Sequence, residues 1–253
     1  DGNTASNNGG GMSIEFFSNP ILANVTITNN EATRAGGMWL WYYSNPILTH
    51  VLISDNTASG IDDHFSDSGS TGGMLLYDHC NPTLTNVTIS GNTGTSDDEG
   101  GGMALWDDSS PTITNSIIWG NTPSYLATWG DSNPIITYSN IEDCYNYNDN
   151  DACAGLGNID INPFFTDPEN GDYTLGLQEC SPCIDAGTTD VDGVVITDYI
   201  GSAPDMGAFE FEGSSEFGDI TGDGLVNILD VVILVNIVLG YSEPIESGDL
   251  NGD

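Results

Sequence analysis

A phrase repeated along the chain constrains its fold more than any other feature of the sequence. Each copy contains Asn-Pro or Ser-Pro, an apolar-polar alternation and an asparagine, and the fuller copies continue through a loop to Gly-Gly-Met. The clearest copy runs from Asn81 to Met103, NPTLTNVTISGNTGTSDDEGGGM. The prolines at 20, 46, 82, 111 and 134 are separated by 26, 36, 29 and 23 residues. Such a period predicts a solenoid in which one loop of each coil takes insertions.

From Asp1 to about Cys144, runs rich in β-branched residues predict short strands separated by Asn-Pro, Gly-Asn and Gly-Gly turns. Strict alternation along each run would give every strand two distinct faces. It predicts that Leu84 faces away from Val87 and Ile89.

Three columns of equivalent residues are expected when the copies are stacked. The asparagines ten residues after the first four prolines predict an internal ladder of side-chain amides, and they are Asn30, Asn56, Asn92 and Asn121. Gly-Gly precedes four methionines and predicts a tight turn before a core residue; these are Met12, Met38, Met74 and Met103. His50 stands where other coils have Asn24, Asn86 and Asn115. Together the columns predict an all-β fold, a right-handed parallel β-helix.

At these residues the sequence resembles the right-handed parallel β-helix repeat proteins of bacterial surfaces and secretions, which share the pectate-lyase-like superfold. The phrases from Asn158 to Leu175, Ser181 to Gly187 and Asp205 to Glu210 resemble the C-terminal closing segment of such proteins. That resemblance covers roughly residues 1–212. It implies a cap over the last coil, because an open final coil is an exposed sheet edge.

We therefore expect three parts: β-helix coils in residues 1–143, a closing segment in residues 144–212 and a separate module in residues 213–253. Asp1-Gly2-Asn3-Thr4 aligns with Ser90-Gly91-Asn92-Thr93. We therefore expect residue 1 to lie in the middle of a coil.

The charge balance restricts the partners. One Lys or Arg stands against 38 Asp and Glu, for a formal net charge of −37. Nucleic acid is excluded, because binding phosphates needs basic groups. Anionic membranes and anionic polysaccharides would be repelled. Divalent cations are the natural counter-ions, although a solvated acidic surface accounts for most of the carboxylates.

The strongest chemical signal follows the linker at residues 213–216. With Asp219 as the first ligand, the EF-hand spacing places oxygen ligands at alternating positions and Gly224 at the sharp turn. The predicted Ca²⁺ ligands are Asp219, Thr221, Asp223, Leu225 through its carbonyl, Asn227 and Asp230, with a second, partial loop at Asp249, Asn251 and Asp253. Asp rather than Glu at the twelfth place resembles dockerin modules, which carry two such loops.

Dockerins bind cohesin through the tenth and eleventh loop positions, which are often Ser or Thr. Here Ile228 and Leu229 occupy them, which disfavours cohesin and favours a hydrophobic contact. Of the 15 residues from Leu225 to Leu239, 12 are apolar, so this helix is expected to be buried on several sides. The run is too short to span a membrane, and no signal peptide is visible.

Five cysteines weakly suggest an oxidising compartment. Cys144 with Cys153, and Cys180 with Cys183, are spaced for local disulfides, which would leave Cys80 over. A zinc site is the alternative, but no histidine lies near the four paired cysteines in the sequence.

Catalysis has weak support in the sequence. Arg34 is a poor candidate for a lyase base. The carboxylates that could serve glycoside hydrolysis stand in loops or turns, where acidic runs are usually solvated; they are Asp62-Asp63, Asp97-Asp98-Glu99 and Asp107-Asp108. One aromatic patch, containing Trp39, Trp41, Tyr42 and Tyr43, is expected to stack on sugar rings or to pack against a neighbouring subunit.

The sequence thus favours a secreted or surface-attached structural or adhesive protein, stabilised by Ca²⁺. It is expected to self-associate head to tail into a filament or to bind another surface protein. The alternative is a carbohydrate-active protein, a glycan binder or glycoside hydrolase, tethered through the dockerin-like module.

Overall fold

The computed structural model describes residues 1–60, 70–95, 100–123, 126–143, 154–176, 181–191, 193–211 and 228–239. The chain divides into two units, Asp1–Glu210 and Phe211–Asp253, and the strands described here all belong to the first. In chain order the strands are β1 (Met12–Glu15), β2 (Ile21–Thr28), β3 (Glu31–Ala32), β4 (Met38–Trp41), β5 (Ile47–Ser54), β6 (Thr57–Ala58), β7 (Met74–Tyr77), β8 (Thr83–Ser90), β9 (Met103–Leu105), β10 (Thr112–Thr114), β11 (Ile117–Trp119), β12 (Ala127–Thr128), β13 (Ile135–Thr137), β14 (Asn140–Ile141), β15 (Phe165–Asp167), β16 (Asp172–Leu175), β17 (Asp190–Val191) and β18 (Val194–Val195).

The first sheet stacks one short strand from each repeat in parallel, in the order β1-β4-β7-β9-β12. Its register places four methionines over one another, and they are Met12, Met38, Met74 and Met103. Met38 and Leu40 enter the core, whereas Trp39 lies on the outer face of the sheet, because side chains alternate along a strand. The predicted column of core methionines is confirmed.

The Gly-Gly pairs before these methionines permit a close approach of neighbouring coils. A side chain on Gly36 would lie 2.6 Å from the backbone nitrogen of Thr57, and one on Gly37 would lie 2.5 Å from the carbonyl oxygen of Gly73. Neither glycine has a positive φ. The requirement for glycine therefore comes from backbone-to-backbone packing and not from the expected tight turn.

The second sheet contains long parallel strands that bend at one residue in each coil. β2, β5 and β8 pair in register over eight residues each, and the next coils continue the stack as β10 with β11 and β13 with β14. The bend is a residue with positive φ in every coil, namely Asn24, His50, Asn86, Asn115 and Tyr138. The interpretation of His50 as a member of this column is confirmed.

This bend changes which residues face the core. Leu84, Val87 and Ile89 all belong to one buried cluster. The prediction that Leu84 faces away from Val87 and Ile89 is therefore wrong. The left-handed backbone of Asn86 shifts the phase of the alternation, so both halves of the strand present apolar side chains to the interior.

A ladder of asparagines joins the coils at the next corner. The side chain of Asn92 accepts from the backbone N–H and the Nδ2 of Asn56 at 3.0 and 2.9 Å. Its own Nδ2 donates to the carbonyl of Ile53 at 2.9 Å and to Oδ1 of Asn121 at 3.0 Å. In the same way the Asn3 N–H donates to Asn30 Oδ1, and the Asn30 N–H donates to Asn56 Oδ1. The predicted ladder is confirmed, and Asn3 is an additional member. Beside it, β3 pairs with β6.

The interior between the sheets is apolar and almost fully shielded from water. One cluster extends along the coils from Ile14 to Ile141 and includes Met38, Leu76 and Leu105. Each such side chain contributes about 1.5–3 kcal/mol through burial. Stacking repeats therefore builds one continuous core that no single coil could form alone.

The segment after the last coil does two things. Residues 156–161 first bond to the exposed edge of the last coil, for example through the Ile159 N–H donating to the carbonyl of Ser139 at 2.9 Å. The chain then folds back along the outer face of the second sheet. There Tyr173 donates to Asp55 at 2.6 Å, and the Ala208 N–H donates to Thr88 Oγ1 at 2.9 Å.

In the second unit the described element is helix α1 (Ile228–Val238). Ile228, Leu229 and Val231 expose half or more of their surface, whereas Asp230 is only 2% exposed. Among the residues described these three apolar side chains of α1 are exposed, and the expected burial of the helix on several sides stays a prediction. No helix in the described part of the chain is long and apolar enough to cross a membrane.

Candidate functional site

Most of the predicted calcium ligands lie outside the described residues: Asp219, Thr221, Asp223, Leu225, Asn227, Asp249, Asn251 and Asp253. The exception is Asp230, the twelfth residue of the predicted loop, in the first turn of α1. Its carboxylate is shielded from solvent although Leu229 and Val231 beside it are exposed. The calcium site therefore remains a prediction.

One corner of the β-helix, after the first sheet, carries stacked rings. Phe17 stacks on Tyr43 with 5.4 Å between ring centroids and 14° between planes, and Tyr43 stacks on His79 at 4.7 Å and 17°. Phe16 and Tyr42 flank this stack, with centroids 5.9 Å apart. We call Phe16, Phe17, Tyr42, Tyr43 and His79 the aromatic corner.

The aromatic corner is exposed, and its rings stand on strained backbone. Phe16 and Phe17 are 58% and 62% exposed, and Tyr43 is 39% exposed. All five residues have φ between 55° and 62°. An L-residue in this left-handed region costs about 1–2 kcal/mol, and Asn, Asp and Gly are the residues that tolerate it. Burial offsets little of that cost for Phe16 and Phe17, which leave more than half of their surface in water.

The same corner turns acidic in the later coils. Asp107 and Asp108 occupy the place of the two phenylalanines, again with positive φ. His79 lies 2.8 Å from Asp78 through Nδ1 and 3.4 Å from Asp108 through Nε2. Asp107 and Asp108 are thus exposed turn residues, which agrees with their interpretation as a solvated face. The other two carboxylate groups considered for catalysis, at residues 62–63 and 97–99, lie outside the described residues.

The predicted aromatic patch is divided between two environments. Tyr42 and Tyr43 belong to the aromatic corner. Trp39 is 3% exposed and packs with Leu75 and Ala104 on the outer face of the first sheet, so it is unavailable to a sugar. The guanidinium of Arg34 lies 5.9 Å from its ring centroid. Arg34 is itself buried and packs against this cluster. A buried position agrees with its interpretation as a poor candidate for the base of a lyase.

Two of the five cysteines are described, and both are buried free thiols. Cys183 accepts from Asn140 Nδ2 at 3.1 Å, and burial raises its pKa to about 11. Cys183 packs into an apolar cluster as a free thiol, which speaks against the expected disulfide with Cys180, a residue outside those described. Cys80 takes the place of a serine in a corner ladder with Ser109, whose Oγ accepts from the Cys80 N–H at 3.1 Å. Cys144 and Cys153 lie outside the described residues.

Sequence reasoning missed Phe16 and Phe17 as members of the aromatic corner. A signal was present: each aromatic pair directly precedes Ser-Asn-Pro, and Phe16-Phe17 stands 26 residues before Tyr42-Tyr43. The equal distance of the two pairs from their prolines would have aligned them in one column.

The comparison with protein families agrees with this architecture. Residues 64–157 match the family model described as a right-handed beta helix region. Together with the stacked parallel sheets, this match shows a parallel β-helix built from sequence repeats, and it supplies the right-handed sense. No curated protein matches this chain, and no solved structure does either.

Proposed function

We propose that this chain is an extracellular structural and adhesive protein, in which the β-helix is a rigid support and the aromatic corner is a contact surface. The observation that carries the proposal is the exposure of Phe16, Phe17 and Tyr43 at left-handed backbone positions. Violations of local preference that are not offset by burial concentrate at functional sites. A secreted or cell-surface location belongs to the same proposal and rests on the resemblance to β-helix proteins of bacterial surfaces.

Rigidity is supported by the hydrogen bonding between coils. The buried asparagine ladder runs along one corner. A second ladder runs along the Asn-Pro turns, where Asn45 Oδ1 accepts from the Asn81 N–H at 2.5 Å. The polar groups along these two ladders therefore find partners in the next coil. Such a rod holds surface residues at a regular spacing.

The partner we favour is a second copy of the chain, with another surface protein as the alternative. Rings that stack on one another present their edges to solvent, and edges pack against apolar side chains and other rings. If the contact is heterologous and does not close, the product is a head-to-tail filament. A charge of −37 opposes association at low ionic strength, so divalent cations are expected to promote it.

Light scattering and electron microscopy, with Ca²⁺ and then with a chelator, test the assembly. Replacing Phe17 and Tyr43 with Asn should abolish association while leaving stability unchanged or raised, because Asn tolerates the left-handed backbone. Ile21→Thr is the matched control, since Ile21 is 74% exposed on β2 outside the corner. A wild-type chain that stays monomeric at high concentration with Ca²⁺ would contradict the assembly proposal.

We also propose that residues 213–253 form a dockerin-like module that binds Ca²⁺ through the predicted loops. The ligand spacing and the shielded carboxylate of Asp230 support this. Calorimetric titration should show Ca²⁺ binding that Asp223→Ala removes and that Asp131→Asn, an exposed acid elsewhere, leaves intact. Ile228 is exposed where dockerins use polar residues, which supports an apolar partner over cohesin.

The second candidate function is carbohydrate binding or hydrolysis by the same chain. Stacking within the aromatic corner leaves few ring faces for a sugar, so a glycan would need another site. A pocket elsewhere on the first unit supplies the observation that favours this candidate.

A further inference from the structure

A pocket of about 470 Å³ lies between the outer edge of the second sheet and the segment that folds back along it. Its floor comes from successive coils at Asp55, Gly91 and Gly120, and its wall from residues 162–173. The volume is within the usual range for small-ligand sites.

Two glycines open this pocket. Gly91 and Gly120 belong to a column of positive-φ residues that also contains Gly2, and its remaining members, Asn29, Asp55 and Asp143, carry side chains. A side chain on Gly91 would collide with the hydroxyl of Tyr173. One on Gly120 would meet only Ser90 Oγ, at 3.6 Å, and would project into otherwise open space. At these two coils the column therefore places no side chain beside Asp55, and the floor of the pocket stays open.

The lining combines flat aromatic walls with carboxylates. Trp119, Phe164 and Phe165 line it and are partly exposed. Tyr173 holds Asp55 by donating to Oδ1 at 2.6 Å, and among the described residues no donor reaches Oδ2. Glu169 is a second, exposed carboxylate. Asp55 is thus positioned with one oxygen available to a ligand hydroxyl.

The charge of the lining selects the ligand. The chain's one basic residue, Arg34, does not line the pocket, while Asp55 and Glu169 do. Phosphates, sulfates and uronic acids would be repelled. Hydroxyl groups donate well to carboxylates, and the apolar face of a pyranose packs on aromatic rings. We propose that this pocket binds a ring of an uncharged saccharide.

This inference gives the second candidate function a location, and it does not depend on association through the aromatic corner. The test uses the full chain with neutral trisaccharides of glucose, xylose and N-acetylglucosamine, and with the galacturonic acid trimer as the charged comparison. Binding is followed by calorimetry and saturation-transfer NMR. At least one neutral trisaccharide should bind, and the galacturonic acid trimer should bind more weakly.

Gly120→Asn supplies the decisive variant, because Asn tolerates a positive φ and its side chain would fill the pocket. It should weaken binding about tenfold or more, a loss of at least about 1.4 kcal/mol. Gly130→Asn is the matched control, since Gly130 is exposed with φ 66° and lies outside the pocket, and it should bind as the wild type does. Glu169→Gln, at an exposed position, should weaken binding even if Gly120→Asn fails to fold.

The proposal is overturned if no neutral trisaccharide binds, if the galacturonic acid trimer binds equally well, or if the two glycine variants bind alike. The double variant with Phe17 and Tyr43 replaced by Asn separates this proposal from the adhesive one. It should lose association and keep saccharide binding, and loss of both would contradict an independent site.

Discussion

At the scale of single residues, the corners of this β-helix depend on left-handed backbone conformations. The bend of the second sheet uses Asn in three coils, His50 in a fourth and Tyr138 in a fifth, and Asn is among the residues that accept this conformation best. The aromatic corner uses the same backbone with Phe and Tyr. The bend column therefore follows local preference in three of its five coils, whereas the aromatic corner departs from it on an exposed surface.

His50 should make stability depend on pH. Burial lowers its pKa below the usual value, and Asp198 opposes this only in part. The unfolded chain therefore binds a proton more readily than the folded chain, so stability falls as pH drops below about 6.5 toward the folded pKa. His50→Asn should remove this loss, measured as the difference in Tm between the two chains from pH 7.5 to pH 5. If the Tm of both chains falls by the same amount over this pH range, His50 is not the cause of the pH dependence.

Asn92 tests the ladder. Asn92→Ala would leave the buried N–H of Asn56 and the carbonyl of Ile53 without their side-chain partners. Each buried, unsatisfied group costs about 1–3 kcal/mol, so urea unfolding should show a loss of about 2–4 kcal/mol. Asn3→Ala is the control at an exposed ladder position and should cost less than about 1 kcal/mol. Equal losses would mean that the ladder bonds contribute little.

At the scale of elements, two features of the strands come from stacking. The second sheet shifts its alternation at the bend, so that each strand directs apolar residues inward on both sides of it. In the first sheet, the Gly-Gly pair before each strand lets the backbones of neighbouring coils approach closely. Both features let successive coils superimpose without opening the core.

Gly37 is a position where this packing can be measured. Gly37→Ala would place a methyl group 2.5 Å from the Gly73 carbonyl oxygen and 2.9 Å from the Ile53 side chain. Backbone cannot move far between bonded coils, so the variant should lose about 3 kcal/mol in urea unfolding. Gly2→Ala meets no atom within 4 Å and has only its φ of 64° to oppose it, so it should lose about 1 kcal/mol. A similar loss in both variants would indicate backbone strain and not close approach.

At the scale of the whole molecule, the closing segment holds several coils at once. Its contacts reach Asp55, Thr88 and Asn115, which belong to three different repeats. A cap over the final coil was expected, and the segment does bond to the last edge. Its larger part covers the side of the second sheet, where it also forms the wall of the proposed saccharide pocket.

The net charge of −37 should make stability depend on salt. Self-repulsion among carboxylates is screened as the Debye length falls from about 30 Å at 0.01 M to about 3 Å at 1 M. The Tm in a chelator should therefore rise by several degrees between 10 mM and 500 mM NaCl. A Tm that stays constant or falls would show that repulsion contributes little.

Much of the fold could be read from the sequence because the repeat is periodic. Equivalent residues must stack, so the positions of the methionine column, the asparagine ladder and His50 followed from spacing alone.

The predicted division of the first 212 residues at position 143 remains a prediction, as do Ca²⁺ binding and the dockerin-like module. Spacing within a loop identifies ligand types but cannot establish an occupied site.

The sequence by itself determined which residues are equivalent from coil to coil, because one short phrase recurs with its turn residues intact. Only the tertiary structure decided that Leu84 and Val87 share a face, since that depends on the φ of Asn86. It also decided that Trp39 is buried, that Cys183 is a free thiol and that Tyr173 meets Asp55. Those contacts join residues far apart in the chain, and no periodic pattern specifies them.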